Sequence, residues 1–190
     1  MASSKTELCN LALLKLGKSR VQDIDTDPSQ QATDLKLAYD FTLNQILNEA
    51  EWSFAVRRQA LNKLTETPLY EWSYTFALPT NPEYIKLISI ENDPDYTIEG
   101  KYILSNEENL NITYIARITD PSEYTTGFKN AFVLLLATKI CYNLTGSDSR
   151  EKQLLTEYEN ALYQAMTQFK AIRNQAPLIS NEWIDIRQNG

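Results

Sequence analysis

The chain contains no histidine. That removes the commonest general base and metal ligand. It also excludes a Ser-His-Asp or Cys-His nucleophile arrangement by count. Cys9 and Cys141 are the only cysteines, too few for a cysteine-rich zinc site. Their wide separation, both in expected helices, fits buried, reduced thiols. Five glycines are spread along 190 residues, at Gly17, Gly100, Gly127, Gly146 and Gly190, so a glycine-rich phosphate loop is excluded. The longest apolar run, Ala131 to Ala137, is too short to cross a bilayer. The opening residues MASSKTELCN carry no apolar signal core, which leads us to expect synthesis in a cytoplasm.

Excess basic charge is lacking too. The formal net charge is -7, so a basic grip on nucleic acid is not the expected main function. The acid is concentrated: residues 91–126 hold eight carboxylates against two basic side chains.

What is present reads as helices around strands. Ser4-Lys5-Thr6-Glu7 has the pattern of a capping box, followed by apolar positions as far as Leu16 and a stop at Gly17. Asp27-Pro28 is expected to open a second helix with Leu35, Tyr39, Leu43, Ile46 and Leu47 on one face. The period then changes. Trp72 to Pro79, Tyr84 to Ile90, Tyr96 to Ile98, Tyr102 to Leu104 and Leu110 to Ile118 read as strands joined by short turns, most simply as one antiparallel sheet of hairpins. Gly127 to Leu144 is apolar on most sides, which predicts a central helix, and a last amphipathic helix follows Gly146.

The expected class is α+β: an antiparallel four-helix bundle of two N-terminal and two C-terminal helices, an inserted antiparallel β-sheet domain, and an extended C-terminal tail. The expected boundaries are 1–52 with 121–172 for the bundle, 53–120 for the inserted domain and 173–190 for the tail. In that tail Leu178, Ile179, Trp183, Ile184, Ile186 and Arg187 stand beyond the last helix, after Pro177. An apolar segment outside a core suits docking on a partner; the plain alternative is that it folds back on its own bundle. Asp93, Asp95, Glu99, Glu107 and Glu108 are candidates for a paired-carboxylate glycosidase site beside an aromatic sheet. Ordinary solvated turn carboxylates are the favoured reading of the same residues. Of Arg57 and Arg58, either one faces an acidic surface or a phosphate, or one stacks on an aromatic ring and the other meets solvent.

Several strings, taken in order, resemble the tail tubular protein A family of short-tailed bacteriophages, the head-to-tail connectors or adaptors. They are Leu8-Cys9-Asn10-Leu11-Ala12-Leu13 with Leu16-Gly17, then Trp52-Ser53-Phe54-Ala55 with Arg58 and Leu61. Trp72-Ser73-Tyr74 follows with Phe76-Ala77-Leu78-Pro79, then Tyr96-Thr97-Ile98-Glu99-Gly100 with Ile103-Leu104. The last are Tyr114-Ile115-Ala116-Arg117 with Asp120, Phe128 and Ala131, and Leu144-Thr145-Gly146-Ser147. They span roughly residues 4–170.

The resemblance implies a virion structural protein without enzyme activity or cofactor, assembled in the host cytoplasm and located in the neck of the tail. It implies a closed ring of about twelve copies. The portal protein and a tail nozzle of the tail tubular protein B type are the implied partners, with DNA touched only non-specifically in the bore and no membrane involved. On that reading Trp52, Phe54, Trp72, Tyr74, Phe76 and Pro79 fix the joint between bundle and sheet, and Leu178 to Arg187 bind the portal. Asp93, Asp95, Glu99, Glu107 and Glu108 form an acidic surface that repels DNA or faces the nozzle. The alternatives carried forward are a carbohydrate-active virion protein and a head-completion connector of a long-tailed phage.

Overall fold

Ser4 opens the first helix, α1 (Lys5–Lys15), by accepting a hydrogen bond from the Glu7 N–H. The computed structural model describes residues 4–174, with side chains described through residue 167. The second helix, α2 (Gln30–Glu49), starts later than the Asp27-Pro28 pair predicts. Its N-cap is Ser29, which accepts from the Ala32 N–H, while the Asp27 carboxylate accepts from the Ser29 N–H and holds the cap in place. Two further helices follow the strands, α3 (Thr126–Thr145) and α4 (Asp148–Asn174). Thr125 caps α3, and Gly146 ends it at a left-handed φ of 65° while its N–H bonds the Tyr142 carbonyl.

Between α2 and α3 lie seven strands: β1 (Val56–Ala60), β2 (Asn62–Lys63), β3 (Tyr74–Ala77), β4 (Tyr84–Ile90), β5 (Tyr96–Glu99), β6 (Tyr102–Ser105) and β7 (Asn111–Ala116). They form two antiparallel sheets, not one. The first is ordered β1-β7-β4 and the second β2-β3-β6-β5. Only β2–β3 and β5–β6 pair with a neighbour in sequence. Pairings such as Val56 with Ile115 and Phe76 with Ile103 join distant segments. Alternation marks a strand but does not name its partner, which is why the single sheet of hairpins was expected and is not found.

The four-helix bundle with an inserted sheet is likewise overturned. Among the described residues the fold is a mix of four α-helices and two antiparallel sheets. α3 is the hub, packing against α1, α2 and α4, and α2 also packs against β4 and β7. The reason is the composition of α3. Phe128, Ala131, Phe132, Val133, Leu134, Leu135, Leu136, Ala137, Ile140 and Cys141 are all buried, on every side of the helix. A helix apolar all round needs cover all round; it becomes an axis that others surround instead of one corner of a ring of four. The second helix is then shared between two layers, one face on α3 and one edge on the first sheet.

Candidate functional site

The chain leaves α2 at Trp52, and the joint between helices and first sheet is built there from rings. The buried Trp52 donates its indole N–H to the Ile46 carbonyl at 2.7 Å, closing the end of α2. Its ring meets Phe128 edge-on at 4.8 Å. Phe54, on the short 3-10 turn Ser53–Ala55, meets the same Phe128 at 4.8 Å and Tyr124 at 5.3 Å. Tyr124 meets Phe128 at 4.7 Å, and Phe132 continues the row to Tyr39. Edge-to-face pairs of this kind add about 0.5–1.5 kcal/mol each beyond burial. The buried Tyr124 hydroxyl donates to the Ile118 carbonyl at 2.9 Å. Burial raises the pKa of both Tyr39 and Tyr124 far above the ordinary phenol value, so these rings act as neutral packing.

A polar clamp lies beside the rings. Arg117, just past β7, bonds Asp40 Oδ1 at 2.7 Å and Asn44 Oδ1 at 2.9 Å, both on α2. Its own N–H donates to the Glu83 carbonyl at 2.7 Å. One turn further along α2, the Asn48 carbonyl accepts from Lys86 of β4 at 3.3 Å. A stripe of α2 at four-residue spacing is thus held to both β7 and β4. Asp40, Asn44 and Asn48 lie off the apolar face of α2, and no local signal in the sequence singles them out. Arg117 was visible only as part of a string. Nothing local says that its partners lie more than seventy residues earlier.

The six residues expected at one joint divide between two places. Trp52 and Phe54 stand at the junction of α2, α3 and the first sheet. Trp72, Tyr74, Phe76 and Pro79 lie on and around β3 in the second sheet. There Phe76 and Pro79 are buried, Trp72 and Tyr74 half-buried, and the Lys63 ammonium sits 4.5 Å from the Tyr74 ring. Of the two arginines, Arg57 bonds the carbonyls of Phe54 and Val56 and reaches Glu123 at 3.5 Å, while Arg58 is exposed.

The acidic surface has a structural base. Ser105, fully buried at the end of β6, donates to the Asp95 carbonyl at 2.9 Å and accepts from the Glu107 N–H at 3.3 Å. It thereby ties the loop after β4 to the loop after β6. Asp93, Asp95, Glu107 and Glu108 are exposed on these two loops, and Glu108 faces Lys63 at 3.8 Å. Glu99 is exposed at the other end of the β5–β6 hairpin. Among the described residues no group of three or more His, Cys, Asp or Glu side chains is arranged to hold a metal ion. Among them, too, no helix is long and apolar enough to cross a membrane. Leu178, Ile179, Trp183, Ile184, Ile186 and Arg187 lie outside the described residues.

No protein-family model matches the chain, and no curated protein is significantly similar to it.

Proposed function

We propose that this chain is a structural component of a phage virion, a head-to-tail adaptor whose copies form a ring between portal and tail nozzle. The observation that carries the reading is the ordered set of strings described above. Trp52 and Phe54 come from one string and meet Phe128 of another, and Arg117 of that second string bonds Asp40 of α2. A set of strings that marks a joint in the scaffold suits a protein whose task is to hold shape under load. In this reading it performs no catalytic step and needs no cofactor.

The charge suits the same task. A wall of carboxylates repels DNA phosphates, so a duplex can slide through a bore without sticking. Asp93, Asp95, Glu107 and Glu108 are exposed on loops held by Ser105, which presents their charge on a fixed base. A ring multiplies the chain's charge of -7 by its copy number.

In this proposal Leu178, Ile179, Trp183, Ile184, Ile186 and Arg187 dock on the portal. Deleting residues 177–190 tests it. The truncated protein should keep its helix content by circular dichroism and lose co-sedimentation with portal rings. Undiminished co-sedimentation would refute the assignment. A panel of polysaccharides should release no sugar in its presence.

A further inference from the structure

We draw no further inference here: the strongest candidate, the open cavity of about 500 Å³ over the outer face of the first sheet, where the exposed Arg58 stands in one row with Thr113 and Ser89, is also lined by Glu91, and nothing in the structure shows what fills it.

Discussion

Phe128 touches Trp52, Phe54, Tyr124 and Phe132 and is fully buried. Phe128→Ala should therefore cost about 3–5 kcal/mol in urea unfolding, with a smaller loss for Phe128→Leu. Arg117→Met removes two charge-assisted bonds to α2 at a partly exposed site and should cost about 1–2 kcal/mol; a loss near zero would show that the clamp is ornamental. Burial pushes the Cys9 thiol up from 9.0 to about 12, opposed in part by Lys5. The folded state then keeps a proton that the unfolded chain gives up. This contribution to stability is whole below pH 9 and is lost as pH rises towards 12. Melting temperatures should accordingly fall above pH 9, helped by the raised phenols of Tyr39, Tyr124 and Tyr158. A flat profile up to pH 11 would contradict this. In the sequence Trp52 and Phe54 stand out only as members of one of the strings that carry the resemblance. The clamp does not stand out, because Arg117 gains its meaning from residues on another element.

Among the elements, helix ends were the most legible. Ser4 and Gly146 act where local rules put them. Gly146 holds φ at 65° with open space around its missing side chain, so Gly146→Ala should cost about 1 kcal/mol through backbone strain alone. Gly127 differs. It has ordinary helical geometry, and an added Cβ would lie 3.1 Å from Ala165 Cβ on α4. Gly127→Leu should thus be far more disruptive than Gly127→Ala, and equal unfolding midpoints for the two would argue against a tight α3–α4 crossing. The strands from β3 to β7 could be found by their alternation, but β1 and β2 were not. Arg57-Arg58-Gln59 and Asn62-Lys63 lack an apolar stripe, and they are strands because β7 and β3 pair with them. Strand pairing and the split into two sheets are long-range facts that no local period records.

For the whole molecule, sequence and structure meet at the central helix. The apolar pattern from Gly127 to Leu144 announced a central helix, and α3 is the hub of the fold. It did not announce how many neighbours would surround it, and a symmetric bundle was the wrong extrapolation. The acidic stretch 91–126 was likewise visible as composition. Only the fold separates its carboxylates into a Ser105-anchored group and Glu99 at the hairpin tip. The most direct test of the adaptor reading is the solution mass of the purified protein, alone and mixed with the portal ring of its own phage. We predict a ring-sized species or a stable joint complex with the portal. A monomer that leaves the portal ring unchanged at every concentration would contradict it.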